Sequence, residues 1–568
     1  MTTIKIATIL DTFSYQVFKP EAELLQLTPQ HWHQEIETFQ PDLLFVESAW
    51  RGKDNLWKDV IKHIPKELKN IIYYCQNSNI PTVFWNKEDP YHFSDFIHVA
   101  KLFDFVFTTD IECIPLYRQH LKHDRIYLLP FACQPKIHNP IEKYERKDAF
   151  VFAGAYYQRF PERNEYFKNA IKTLSTIGDI DIYDRNYGQN TVFIYPEEYH
   201  IYIRGGLDYQ QIDKAYKGYR FAINLNSMTI SPTMFSRRVF ELIASNTTVI
   251  NNYTIGVKLL LGDLTICTNN MEELKSELLY RKTNQLIDKK IRLAALRKVL
   301  SEHTAKQRLA EIISKVLVKK HELPIPTILC ISYIEDDIQL CNIHKNYTQQ
   351  EYGNKQLLLI IKGNNINKKL IPHNNNIHII SETELSVLNN KIKDSTYLAF
   401  LCSLDYYGKH YLTDLILATQ YTHSSIITKG GQYTYNGRTQ PILNNDHPPY
   451  QYTSFAVLRA SLIKNTHSAE NIIHIAKNIA NFRIDQKEIL AIDEFNYCKN
   501  IYKTTPTNTI LSTINDLDNI DTGATINDIW IKKELDILQH LKKESQTRSQ
   551  LSPKIIFWLK KLKNRIIR

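Results

Sequence analysis

Glycine is scarce in this chain, 16 residues in 568. Phosphate loops of the GxxxxGK[ST] or GxGxxG type need glycines in close succession so that the backbone can approach a phosphate, and neither pattern occurs. An anionic ligand would therefore have to be held mainly by side chains. The eight cysteines (Cys75, Cys113, Cys133, Cys267, Cys330, Cys341, Cys402, Cys498) form no CxxC pair and lie mostly in apolar runs. Buried, reduced thiols and a cytoplasmic setting are expected. No apolar run reaches the ~20 residues needed to span a bilayer, and the N-terminus reads as a first strand rather than a signal peptide. The net charge of +10 is mild for the length. It favours anionic partners without singling out nucleic acid, and no basic patch with interleaved aromatics occurs outside the tail.

What is present fits a folded α/β protein. Hydrophobic residues make up 43% and charged residues 23%, and the length implies roughly three to four domains. Residues 1–140 alternate strand candidates at 4–10, 42–46, 82–85, 105–108 and 126–129 with amphipathic stretches such as 29–39 and 57–75. This alternation implies a parallel sheet, with ligands at the carboxyl ends of the strands. A second unit, residues 141–322, has strand candidates at 148–154, 180–183, 221–225, 249–252 and 264–267, followed by helices to about 320. Two Rossmann-like units with a cleft between them suggest the GT-B architecture. The prolines of Leu323-Pro-Ile-Pro-Thr327 read as a linker. A third α/β unit follows, residues 323–505, with strands at 327–332, 355–362, 377–380 and 397–401. A helical tail covers 506–568. From Pro553 to Arg568 it combines one apolar helical face with six cations and no acid, the pattern of a helix on an anionic membrane surface or one docked on its own protein.

The segment Ser231-Pro-Thr-Met-Phe-Ser-Arg-Arg-Val-Phe-Glu241 reads as a polar loop feeding a helix. Arg237 and Arg238 offer forked donors suited to a diphosphate, and Glu241 suits sugar or ribose hydroxyls. Around this segment, Gly154 follows a strand and permits close approach of a ligand, with Arg159 and Arg163 on the next turn. Asp184 and Arg185 follow another strand, and Asn224 and Asn226 end a third. Polar residues in such places suit hydrogen bonding to a nucleoside or sugar. In the first unit, Glu88, Asp89 and His92 are candidate general bases for an acceptor hydroxyl. Glu47, Trp50, Arg51 and Trp85 are candidate acceptor contacts, and core packing is an equal alternative for the two tryptophans.

These motifs resemble a known family. Phe45-Val-Glu-Ser-Ala-Trp-Arg-Gly52, Val83-Phe-Trp-Asn-Lys-Glu-Asp-Pro90, Phe105-Val-Phe-Thr-Thr-Asp110, Leu129-Pro-Phe-Ala132 and the Ser231–Glu241 motif are together similar to the CgeB-like (spore maturation protein) glycosyltransferases, relatives of the group 1 GT-B enzymes. The resemblance covers residues 1 to about 300. It implies a nucleotide-diphosphate-sugar donor in the second unit, an acceptor in the first, no metal, and a donor role for Arg237, Arg238 and Glu241. The retaining group 1 pattern carries a second glutamate where this chain has Thr233. Residues 327 to about 500 resemble a GT2-type (GT-A) transferase, on Asn346–Ile360 and Tyr397–Gly408. That fold needs two carboxylates to hold a divalent ion; here the positions are Cys402 and Leu404, and only Asp405 remains. A catalytically silent third unit is expected. The resulting expectation is a cytoplasmic, hexosyltransferase-type enzyme, peripheral on the membrane through its tail. It would act without cofactor or nucleic acid on a bacterial surface glycan, teichoic-acid-like polymer or spore-surface acceptor. The alternative is a non-catalytic glycan-binding or scaffold protein of degenerate transferase modules.

Overall fold

The computed structural model describes residues 4–547 apart from 190–192, 318–323, 364–365, 368–369, 371–373, 438–439, 466–468, 504–506 and 518. The basic segment from Pro553 to Arg568 thus lies outside the described residues, as does Leu323 of the linker.

The first unit is a six-stranded sheet in the order β2-β1-β3-β4-β5-β6. Its strands are β1 (Lys5–Ile9), β2 (Glu23–Gln26), β3 (Leu43–Glu47), β4 (Thr82–Asn86), β5 (Phe105–Thr108) and β6 (Ile126–Leu128). Every pairing is parallel. The central strands β3 and β4 are buried at every position, which is why they read as unbroken apolar runs. The edge strand β2 was not expected, because Glu23-Leu-Leu-Gln26 is too short and too polar to stand out.

The second unit orders its five strands β11-β10-β9-β7-β8. They are β7 (Lys147–Gly154), β8 (Ile180–Asp184), β9 (Tyr219–Asn224), β10 (Thr248–Asn251) and β11 (Ile266–Cys267), again all parallel. Both units are Rossmann-like, as expected. One continuous apolar cluster runs through them, from Ile9, Val46 and Ile111 to Ala222, Val239 and Leu242. The chain then crosses back. The helix Ala305–Val316 lays Leu309, Ile312 and Ile313 against Ile6, Phe45, Val83 and Phe107 of the first sheet. A capping box at Thr304 and Gln307 starts that helix, satisfying backbone N–H groups that the first turn leaves unpaired.

In the third unit the strand Ile328–Ile334 lies parallel between Lys355–Ile361 and Tyr397–Phe400, and the sheet turns antiparallel at Ser461–Lys464. A smaller sheet joins Tyr406–Tyr407, Tyr497–Lys499, Gln432–Thr434 and Ile442–Asn444. The long helix Gln285–Glu302 carries this unit on one flank. Its Arg297 reaches Asp414 at 2.7 Å and Asp516 at 2.6 Å. The two carboxylates overcome the effect of burial and raise its affinity for the proton. A final helix, Ile526–Thr547, returns to the first two units through Ile526, Ile529 and Trp530. Among the described residues no helix is long and apolar enough to cross a membrane.

The Arg297 contacts join two units through a buried ion network. Removing the cation leaves buried Asp414 with only Lys429 at 3.7 Å and Asn496 at 3.3 Å, and Asp516 with His410 at 2.7 Å, a loss of about 3–5 kcal/mol for a broken buried pair. Arg297→Met is expected to lower the urea-unfolding free energy by that order. A loss under about 1 kcal/mol would show the network to be peripheral to the interface.

Candidate active site

The carboxyl ends of the two parallel sheets face each other where the two units meet. Three contacts fix the facing. Tyr91, after β4, meets Phe160, after β7, with ring centroids 5.8 Å apart. Phe13, after β1, lies 4.5 Å from the Arg237 guanidinium. Thr233 accepts a hydrogen bond from Ile111 N–H (3.0 Å) and donates to Thr109 C=O (2.9 Å).

On the first unit's side a buried ionic triad shapes the loops. Lys87, 1% exposed, donates to Asp11 at 2.6 Å and Glu47 at 2.9 Å. Asp11 also accepts from the N–H groups of Trp50, Arg51 and Gly52. Burial opposes ionisation of Asp11, but Lys87 and these N–H groups hold its carboxyl below the usual range. Burial leaves Glu47 raised despite Lys87. Glu47 is fully enclosed, so it positions this loop rather than contacting an acceptor. Trp85 is also corrected: its ring packs against Phe45 and Phe131 in the core and donates to Leu129 C=O at 3.0 Å. Trp50 is half-buried, with its ring 5.1 Å from that of His92, and Arg51 is exposed.

The loop after β4 divides its three candidate bases. Asp89 is fully buried, 2.6 Å from both Asn86 Nδ2 and Thr108 Oγ1. Burial pushes its carboxyl up to about 7, but it cannot reach a hydroxyl in the crevice. Glu88 is half-buried. His92 is 18% exposed, and its Nδ1 lies 2.6 Å from Asp95 Oδ2. Asp95 was not singled out in the sequence, although its position three residues after His92 was visible there.

On the second unit's side Gly154 ends β7. A Cβ at this position would come within 2.8 Å of the Phe152 ring and 3.3 Å of Arg238 Nη1, so a larger residue would press on both side chains. Arg163 is 6% exposed and donates to Ala155 C=O at 3.2 Å. Its Nε and the Nη1 of Arg238 are both buried without a hydrogen-bond partner. Among the described residues no carboxylate forms an ion pair with either. Burial, then the neighbouring Arg238, lowers the proton affinity of Arg163 to a pKa of about 10. Arg159 is exposed beside Tyr91 and Phe160. Arg185 is also exposed, and Asp184 is 8% exposed, accepting from Asn186 N–H at 2.9 Å.

The helix Arg238–Ala244 corrects the expected pairing of Arg237 with Arg238. Arg237 turns to Glu241, which is fully buried and also accepts from Tyr216 Oη at 2.9 Å. Burial disfavours the Glu241 carboxylate, but Arg237 and its other partners hold its pKa below the usual range. Glu241 therefore anchors the helix from beneath. Asn224 and Asn226, 0% and 1% exposed, hold the loop above: Asn226 Oδ1 accepts from Ser236 N–H at 2.9 Å and from Asn224 Nδ2 at 3.1 Å. In the third unit Asp405 is fully buried, accepting from Tyr497 Oη and Asn500 N–H at 2.8 Å each, with Arg459 at 3.5 Å.

Residues 163–314 match the glycosyl transferase-like family model. The spore protein CgeB of Bacillus subtilis (strain 168) is 24% identical over 236 residues, 40% of this chain. The chain spans 66% of that relative's length. Among solved structures, a glycosyltransferase from Rickettsia africae ESF-5 overlaps 55% of this chain and 98% of its own at 11% identity and a TM-score of 0.38. TarM overlaps 50% and 57% at 11% and 0.34. Anabaena Alr3699/HepE, in complex with UDP and glucose, overlaps 55% and 99% at 10% and 0.33. These structural overlaps are too loose to carry an inference.

The raised Asp89 carboxyl has a consequence for stability. The folded chain holds this proton to about pH 7, whereas an unfolded aspartate releases it near 4. The contribution is therefore complete below about pH 4 and is lost as pH rises towards and through 7. Asp89→Asn is expected to remove about 2–3 kcal/mol of this pH dependence between pH 5 and pH 8, measured by urea unfolding at the two values. Equal slopes in the two proteins would contradict the assignment.

Proposed function

We propose that this chain is a GT-B glycosyltransferase. It takes a nucleotide-diphosphate sugar against the second unit and transfers the sugar to a hydroxyl of a glycan or polymer held by the first. The observation that carries this reading is the Arg163–Arg238 pair beside Gly154, two guanidiniums with buried unpartnered nitrogens and, among the described residues, no ion-paired carboxylate. A diphosphate supplies both the charge and the acceptors they lack. As the sugar departs, charge grows on the leaving diphosphate, and fixed cations in a low-dielectric crevice stabilise it most at that moment. No metal is needed for this part of the chemistry. The family match over residues 163–314 covers the same element. Arg159 and Arg185, exposed at the rim, are assigned to the outer part of the donor. Trp50 and Arg51 are assigned to the acceptor. A cell-surface glycan, a teichoic-acid-like polymer or a spore-surface component suits the acceptor side, the last in keeping with the relative's name.

The third unit is assigned the GT-A-like form without its catalysis. Cys402 and Leu404 do not ligate a hard divalent ion, and Asp405 is already engaged by Arg459, Tyr497 and Asn500. This unit serves acceptor binding or assembly. Wild type is expected to bind UDP or another nucleoside diphosphate in EDTA, measured by calorimetry. Arg163→Ala and Arg238→Ala are each expected to weaken binding on the order of 10- to 100-fold, the worth of a charge-assisted hydrogen bond. Binding of no common nucleoside diphosphate, or unchanged affinity in both variants, would refute the reading.

A further inference from the structure

We propose that residues 553–568, which lie outside the described residues, fold back and pack as a helix into a groove beside the helix Ile526–Thr547. This inference stands apart from the glycosyltransferase reading. A groove of about 640 Å³ is bounded by β6 at the edge of the first sheet, by the helix Ala305–Val316 and by the final helix. Tyr127 of β6 and Trp530 and Ile531 of the final helix line it, and all three are half-buried. Apolar surface is thus left open where two helices stand beside a sheet edge. Glu302, Glu311 and Glu534 also line the groove. Two cations lie there too, but Arg308 is engaged by the carbonyls of Pro130 and Glu302, and Lys315 lies 3.5 Å from Glu311. Glu302 meets Lys298 through Oε1 at 2.9 Å, while its Oε2 is buried without a hydrogen-bond partner. An apolar stripe flanked by cations fits such a groove.

The chain itself supplies that occupant. Ile555, Leu559, Leu562 and Ile566 recur at intervals of four, three and four residues, which puts them on one face of a helix. Lys554, Lys560, Lys561, Lys563, Arg565 and Arg568 carry the positive charge, and the segment has no acid. Residues 548–552 separate it from Thr547, a usual length for the turn between two antiparallel helices. As a helix the segment spans about 24 Å, and Glu534 lies about 20 Å back from Thr547 along the final helix. The last two turns of the segment therefore come level with Glu534 and Ile531. Leu562 and Ile566 are assigned to the apolar wall, and Lys563, Arg565 and Arg568 to the glutamates. The docked helix would also cover an edge strand, which folded proteins seldom leave bare. A tail held on a membrane would leave the Glu302 Oε2 acceptor unanswered and the Trp530 wall open.

Limited digestion of the full chain with trypsin tests this, because the tail's own lysines and arginines are the cleavage sites. Leu562→Asp is expected to speed tail cleavage on the order of 10-fold, the worth of one buried leucine. On the groove side, Glu302→Gln combined with Glu311→Gln and Glu534→Gln is expected to do the same. Leu562→Asp alters the tail alone, so the test stands even if the groove variant fails to fold. Hydrogen exchange locates the contact: in Leu562→Asp the amides of 307–315 and 526–534 are expected to exchange faster than in wild type. Phosphatidylglycerol vesicles added to wild type are expected to leave tail cleavage unchanged. Tail cleavage as fast in wild type as in Leu562→Asp, or unchanged exchange in both stretches, would overturn the inference. Protection of the tail only when vesicles are present would overturn it in favour of a membrane surface. Protection that rises with protein concentration would overturn it in favour of a second copy's tail.

Discussion

Among the described residues Arg163 and Arg238 have no carboxylate in an ion pair with either, and the proposed placement of the donor depends on that imbalance. Burying a cation without a partner costs several kcal/mol, and two close together repel. A fold keeps such an arrangement only where the rest of the structure determines it. Here β7 ends in Gly154, whose missing Cβ admits Arg238, and the helix Pro161–Leu174 presents Arg163 from the other side. In the proposed function an incoming diphosphate would relieve the repulsion and satisfy the unpartnered nitrogens together. The electrostatic work is done before the ligand arrives, which makes fixed charges effective in a transition state.

The same crevice is held in shape by groups that never meet a ligand. The Asp11–Lys87–Glu47 triad gathers the ends of β1, β3 and β4. Lys87 and Arg237 both approach the ring of Phe13, at 4.2 Å and 4.5 Å, so one aromatic side chain joins cations of the two units. Thr233 adds a hydrogen-bonded bolt, and the helix Ala305–Val316 ties the second unit back onto the first sheet. These buried contacts limit how far the crevice can open, and they act where a bound donor and acceptor would have to meet.

Much of this fold was legible in the sequence, because buried parallel strands print themselves as short apolar runs. All ten strand expectations of the first two units correspond to strands, and only the short edge strand β2 was missed. The site was legible by region and not by residue. Polar clusters after strands pointed to the crevice, but they did not tell ligand-facing groups from supports. Glu47, Asp89, Glu241, Asn224 and Asn226 had the right chemistry in the right loops, and each is buried among partners from distant parts of the chain. Lys87 is 40 residues from Glu47 and 76 from Asp11, so no local pattern could reveal that triad. Arg237 and Arg238 are adjacent in sequence, but neighbouring residues on a helix point about 100° apart. One therefore turns to Glu241 and the other lies over Phe152 beside Gly154.

The most direct test of the central claim is a crystal structure with UDP or another nucleoside diphosphate bound. Diphosphate oxygens are expected within hydrogen-bonding distance of Arg163 Nε and Arg238 Nη1, against the Gly154 backbone. A diphosphate bound elsewhere, with both guanidiniums left untouched, would contradict it.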